Sequence, residues 1–377
     1  MYISKYYYHG PKDEAWEFST PFLRKVNLIV GDTGTGKTRF LNTIFNLGIS
    51  VVANEIKNTG IWNILFNIGN QEYEWHFTTD FDSIKKIIIK EELLYIKDNK
   101  GNKRTIVERD ESKFKYNDKE LPKLSQNTSS ISLLKGENDI KPIYSGFSSI
   151  IRRRFFTDEL DKNFRIEAMP IDFLENIKKQ KNLTDLFYSE LSVNIKLAIL
   201  EESFPEIYKE IKTKLLEIFE FIEDVSILEF NKIHPNIKLP FYAPVFCIKE
   251  RNIKEYITSD QMSSGIQKVI LLLLDLFLIP KGGIFLIDEY ENSLGMSAID
   301  FLPDLLIETD LDNQFFITSH HPYIINNIPI ENWLVFHRKG LQVKIKSGTE
   351  LKKKFGKSKQ KYFLQLINDS FYKEGIE

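Results

Sequence analysis

The chain has 377 residues, of which 42% are hydrophobic and 28% charged, a balance that places it among neither disordered nor membrane chains and suits one large α/β body with an embedded lobe. A net charge of −2 excludes a uniformly basic nucleic-acid coat, though not a local patch. The single cysteine, Cys247, rules out an internal disulfide and a cysteine-rich zinc site, and the six histidines show no metal-ligand spacing.

From Met1 to Val30 the pattern predicts short strands with a turn at His9 to Asp13. The apolar run Val26 to Val30 reads as a strand and Arg39 to Leu47 as a helix. Between them lies Gly31-Asp32-Thr33-Gly34-Thr35-Gly36-Lys37-Thr38, two glycines five apart followed by Lys and Thr. Glycines let a backbone wrap closely round a triphosphate, and N–H groups at a helix start aim their positive dipole end at it. Gly31 to Thr38, with Arg39, are therefore assigned to nucleotide binding. Lys37 would reach the β- and γ-phosphates from a solvated loop, and Thr38 would offer its hydroxyl to Mg²⁺. A chance glycine turn is the alternative, and the strand and helix on the correct sides argue against it.

Further along, Ile61 to Ile68 and Gln71 to Thr78 predict a hairpin across Gly69-Asn70, with Tyr73, Trp75 and Phe77 on one face. Ile87 to Ile96 and Thr105 to Glu108 extend it into an antiparallel lobe. The polar stretch Asp110 to Lys141 reads as a long surface excursion. From Ile171 to about Phe230 the apolar spacing, as in Leu215, Ile218, Phe219 and Ile222, predicts a compact insertion of three or four helices. No heptad repeat persists, so no long coiled-coil arm is expected. The longest apolar run, Val269 to Ile279, is broken by Asp275 and too short to span a bilayer. Tyr362 to Phe371 predicts a closing helix after the basic run Lys352, Lys353, Lys354, Lys357, Lys359 and Lys361. The tyrosine-rich start lacks the apolar core of a secretory signal, and a cytoplasmic protein with no membrane partner is expected.

Three stretches of the C-terminal third bear on chemistry. Gly283 to Asp288-Glu289 is an apolar strand ending in two carboxylates, as the middle of a parallel sheet demands. Asp288 could hold Mg²⁺ and Glu289 could deprotonate an attacking water, against the alternative of a strand ending in surface acids. Met262 to Lys268 sets Ser263, Ser264 and Gly265 at a helix start, either as plain caps or as a second anion site. Phe315 to Pro322 ends a strand in Thr318, Ser319, His320 and His321; His320 could hydrogen-bond a γ-phosphate or be an ordinary surface histidine.

Taken in order, phosphate loop, serine-rich signature, carboxylate strand and histidine resemble the ATPase heads of the ABC superfamily, and SMC-like and OLD-type heads more than transporter subunits. The Ser-Ser-Gly signature, the run from Asp288 to Gly295 and Ser319-His320-His321-Pro322 carry this resemblance. It spans Met1 to Leu47 and Thr258 to Phe336, and the middle matches only in layout. It implies an α/β P-loop NTPase of ABC-ATPase head type with an antiparallel β-lobe and a helical insertion. The expected divisions are 1–165 and 251–350 for the two ATPase lobes, 166–250 for the insertion and 351–377 for a basic tail.

The resemblance implies ATP and Mg²⁺ as cofactors, with Lys37 and Thr38 on phosphate and metal, Asp288 on the metal, Glu289 on the water and His320 on the γ-phosphate. It also implies that Ser263, Ser264 and Gly265 face the ATP of a second copy in a head-to-head homodimer or higher oligomer, with a D-loop near Glu291 to Gly295. Two departures matter. Ser264 stands where the usual signature has its first glycine, and the Q-loop glutamine is unassigned between Gln71 and Gln126. The aromatic that stacks on adenine is open among the early tyrosines and Trp16.

A short, arm-poor head of this kind resembles ATPase subunits of bacterial anti-phage defence systems, whose effector, a nuclease or toxin, is a separate protein. The absent membrane segment disfavours a transporter subunit, the compact insertion a long-armed repair head, and the short stretch after His320 an OLD-type nuclease. An ATP-bound scaffold with negligible turnover and a DNA-bound repair or recombination ATPase are the alternatives. Arg152-Arg153-Arg154 and the lysine run would touch DNA, RNA or an acidic partner, or else form solvated faces.

Overall fold

The computed structural model describes residues 1–11, 16–53, 55–98, 101–122, 125–153, 157–170, 172–173, 182–237, 239–291, 299–301, 303, 305–306, 312–355 and 362–374. The chain forms two compact units, one of Met1–Arg153, Lys281–Tyr290 and Leu306–Glu377, the other of Arg154–Pro280 and Glu291–Leu305. Among the described residues no helix is long and apolar enough to cross a membrane.

In chain order the strands are β1 (Tyr2–His9), β2 (Glu17–Ser19), β3 (Val26–Gly31), β4 (Gly60–Ile68), β5 (Gln71–Phe81) and β6 (Ile87–Lys97). Then come β7 (Lys103–Arg109), β8 (Phe114–Tyr116), β9 (Lys119–Glu120), β10 (Ile150–Arg153), β11 (Ile222–Glu229) and β12 (Pro244–Glu250). The last are β13 (Ile257–Thr258), β14 (Ile284–Ile287), β15 (Gln314–Thr318), β16 (Trp333–Lys339) and β17 (Gln342–Ser347).

The first unit holds one sheet in the order β10-β14-β15-β3-β16-β17-β2-β1-β4-β5-β6-β7-β8-β9. The five strands from β10 to β16 pair in parallel. Every described residue of β3, β14 and β15 is buried, which is why their sequences are near-continuous apolar runs rather than alternating ones. The polar exceptions are satisfied internally. Asn27 donates to the carbonyls of Arg24 and Phe315, and the Gln314 amide is bonded to both backbone groups of Ile3.

The strands from β4 to β9 are antiparallel, and the hairpin across Gly69-Asn70 forms as predicted, with Ile68 opposite Gln71. Tyr73, Trp75 and Phe77 turn one face of β5 inward, where Phe147 meets Trp75 edge-on. The stretch read as a surface excursion is different. It contributes β8, β9 and the helix Ser130–Leu133, because the fully buried Glu92 accepts hydrogen bonds from the hydroxyls of Ser129 and Ser130 and from the Ser130 N–H. A polar composition hid a segment that supplies partners for a buried acid.

The second unit contains helices Val193–Ser203, Pro205–Ile218 and Ser264–Leu278, but it is not purely helical as expected. Ile222–Glu229 is strand β11, paired antiparallel with β12, which in turn pairs with β13. The helix ends at Phe219, and the following Val225-Ser226-Ile227-Leu228 finds a cross-strand partner that outweighs the apparent helical spacing. Buried Asn194 ties helix to sheet, accepting from the Phe246 N–H and donating to the carbonyls of Phe164 and Arg165.

Candidate functional site

The register of the parallel strands brings several chain segments to one sheet edge. Ile287 lies opposite Ile317, Thr318 opposite Ile29, and Phe336 opposite Gly31, so the ends of β14, β15 and β3 adjoin. That C-terminal edge is where open α/β sheets bind ligands.

Gly31 ends β3 because a side chain there would press on the Phe336 carbonyl at 2.6 Å. Gly36, at φ 94°, turns the chain into helix α1 (Lys37–Val52), and a Cβ on it would strike the Trp16 ring at 2.6 Å. No side chain caps α1 and its first turn carries no acid, so the helix start presents a positive end to an anion. Phe40, fully buried, anchors α1 among the rings of Tyr6, Phe18, Phe316 and Phe336 at 5.4 to 6.2 Å. Lys37 is not solvated as expected. Only 7% of it is exposed, and its ammonium donates to the carbonyls of Gly31 at 2.8 Å and Asp32 at 2.9 Å. The lysine lies under the loop it serves, bracing it from within. Thr35 adds a hydroxyl bond to the Asp32 carbonyl, and Asp32 itself accepts from the Thr33 N–H.

Asp288 follows β14 and is nearly buried, its carboxylate taking three donors. Oδ1 accepts the hydroxyls of Thr38 at 3.1 Å and Thr318 at 2.9 Å, and Oδ2 accepts Arg152 Nη2 at 3.0 Å. Thr318 Oγ1 in turn accepts the Glu289 N–H at 2.7 Å, so one hydroxyl fixes the carboxylate and the residue after it. Glu289 has φ 49°, a left-handed backbone that is costly without glycine, and its side chain stands exposed. Exposed His320 lies just beyond Thr318, while Ser319 is buried and accepts the His321 N–H. The oxygen pair of Thr38 and Asp288 fits Mg²⁺, a hard cation held by one or two protein oxygens with substrate phosphates completing its shell.

The structure thus brings Gly31 through Thr38, Asp288, Glu289 and His320 to one edge of the first unit. Ser263, Ser264 and Gly265 belong to the second unit, where Ser263 caps the helix Ser264–Leu278 by accepting the Ile266 N–H at 3.4 Å; both serines are exposed. The D-loop positions 292–295 and Arg154, Lys357, Lys359 and Lys361 of the basic stretches lie outside the described residues. Lys352 is paired with Glu331. Within the β-lobe the Gln71 side chain donates to the Glu72 and Lys97 carbonyls, and the Gln126 backbone carbonyl accepts the Ile89 N–H.

Two arginines carry more than their sequence context signals. Arg152 is no surface cation: its side chain is 4% exposed and engaged with Asp288. Arg338, on β16, donates to the Gly34 carbonyl at 3.1 Å and stacks 4.1 Å from the centroid of Trp16, whose ring also meets Arg39 at 4.6 Å. Of the early aromatics, Tyr6 and Tyr8 are buried in the core, and the Trp16 ring lies against Gly36 of the loop. The register Phe336 opposite Gly31 is what sets Arg338 over the loop, and only a sheet topology could have revealed it.

A parallel sheet, a phosphate loop braced by Lys37 and a carboxylate meeting Thr38 define a P-loop ATPase. Residues 26–326 match the family model described as "AAA domain, putative AbiEii toxin, Type IV TA system", and the chain belongs to that family of ATPases. The fold is similar to that of the Smc head domain with an extended coiled coil bound to the C-terminal domain of ScpA from Pyrococcus furiosus. That likeness has a TM-score of 0.50 and 13% identity over 93% of this chain and 98% of that one. The SMC head domain from Thermotoga maritima matches at a TM-score of 0.44 and 12% identity over 92% of this chain and 99% of that one. No curated relative matches the chain by sequence.

Proposed function

We propose that this ATPase is a regulator, which binds and hydrolyses ATP with Mg²⁺ and thereby controls a separate effector, a nuclease or toxin, in bacterial defence against phage. The observation that supports the site most is the 3.1 Å bond between Thr38 and Asp288, residues far apart in sequence that form one oxygen pair at the foot of the phosphate loop. The family's description in terms of a toxin and a toxin–antitoxin system favours the defence role.

In this reading Lys37 turns its ammonium from the loop carbonyls toward the β- and γ-phosphates, and the α1 N–H groups cradle them. Thr38 and Asp288 would hold Mg²⁺, which would neutralise charge on the bound phosphates. Glu289, exposed just beyond the end of β14, accepts a proton from water as the water oxygen bonds to the γ-phosphorus and the bond to the β–γ bridging oxygen breaks, releasing ADP and phosphate. His320 hydrogen-bonds the γ-phosphate. Ser263, Ser264 and Gly265 of a second copy close over the nucleotide, so that ATP holds a homodimer or larger assembly together and hydrolysis releases it.

The test is phage plating on cells carrying this gene with its native neighbours. Protection should be lost with Lys37→Ala and with Glu289→Gln at equal protein levels. Undiminished protection by Lys37→Ala would overturn the regulatory role.

A further inference from the structure

Arg152 lies at the end of β10, with its chain neighbour Arg153 accepting the Asp288 N–H at 3.3 Å. Its guanidinium takes Oδ2 of Asp288, while the hydroxyls of Thr38 and Thr318 share Oδ1. The ion pair is desolvated, with side-chain exposures of 4% and 9%. A scaffold needs no such pair at the edge where the phosphate loop ends, since apolar residues of similar volume fill a sheet interior as well or better.

We propose that Arg152 is a resident cation that shares the Asp288 carboxylate with Mg²⁺ and so sets how much Mg²⁺ the ATPase needs. The inference rests on Asp288 being a metal ligand, as proposed above. A fixed positive charge on one carboxylate oxygen weakens the hold of the other on a divalent cation. The competing effect of Arg152, orienting the carboxylate, is duplicated by two hydroxyls that remain when the arginine is removed. Charge therefore decides the sign, and removing it strengthens Mg²⁺ binding. At the effective dielectric of a protein edge, one unit charge at this range is enough to move a half-saturation point by roughly tenfold.

The experiment titrates Mg²⁺ into the full-length protein with a fluorescent ATP analogue and reads the Mg²⁺ concentration at half-maximal binding. Arg152→Gln, which keeps N–H donors and loses the charge, should need about tenfold less Mg²⁺ than the wild type. Arg152→Lys, which keeps the charge, should stay near the wild-type value. An unchanged or higher requirement in Arg152→Gln overturns the proposal. Asp288→Asn provides the separate check: if its Mg²⁺ requirement equals that of the wild type, the metal assignment itself fails and the proposal falls with it. Thermal unfolding without nucleotide covers the case in which Arg152→Gln is poorly folded in EDTA. The rise in Tm on adding Mg²⁺ should be larger in Arg152→Gln than in wild type, and equal rises would count against the arginine's role.

Discussion

Two carboxylates of the first unit, Glu92 and Asp288, each combine burial, an arginine and a pair of hydroxyl side chains, and the difference between them separates scaffold from site. Glu92 is sealed within the β-lobe, its oxygens filled by Ser129, Ser130 and Arg109, whose guanidinium also holds the carbonyls of Ser125 and Thr128. Asp288 ends a strand, and one of its hydroxyl partners is Thr38 of the phosphate loop. A buried acid whose partners all come from one folded lobe stabilises that lobe. A buried acid whose partner belongs to a loop shaped for an anion is placed to act on what the loop binds.

The comparison breaks if damage at either place has the other's consequence. The largest expected effect is on turnover: Glu289→Gln should lower ATP hydrolysis by roughly 10²- to 10⁴-fold, measured as steady-state phosphate release, while Tm stays put. In the lobe, Glu92→Ala leaves Arg109 buried without its carboxylate and should cost about 3–5 kcal/mol in urea unfolding with unchanged nucleotide affinity. Replacing both by methionine should recover most of that loss. Lys37→Ala falls between the two, since Lys37 both braces the loop and faces the phosphates. Nucleotide binding should weaken by roughly 100-fold, or about 2.7 kcal/mol. The two lost charged hydrogen bonds should take about 1–2 kcal/mol from stability.

The smallest effect sharpens the contrast with a partly buried acid at the rim of the β-lobe. Burial alone would raise the Glu74 carboxyl, but hydrogen bonds from Lys103, His76 and Lys97 outweigh it and hold the pKa at about 2, below its ordinary 4.5. Its contribution is therefore present above about pH 4.5 and lost as pH falls toward 2. Water screens the cluster, so Glu74→Gln should cost under about 1 kcal/mol at pH 7, with the difference from wild type vanishing near the acid end.

The parts of the site legible in the sequence are those written as local patterns. The phosphate loop, the apolar strand before Asp288 and the Ser-His-His run after β15 each combine residue type with a strand or helix boundary, and the β4–β5 hairpin shows in its alternation. What escaped depends on pairing between distant segments. Arg152 looked like one of three basic surface residues because nothing nearby announces that β10 lies beside β14. Arg338 reaches the loop only through the alignment of β16 with β3. β11 was hidden by leucines and isoleucines whose spacing suits a helix until β12 offers a partner, and the Ser129-Ser130 dock was hidden by its polarity.

The most direct test of the account is a structure of the Glu289→Gln protein with Mg²⁺ and ATP. There Thr38 Oγ1 and Asp288, directly or through water, should hold the metal, and Lys37 Nζ should have moved from the loop carbonyls to the β- and γ-phosphates. A triphosphate bound away from Gly31 to Thr38, or a metal that touches neither Thr38 nor the shell of Asp288, would contradict it.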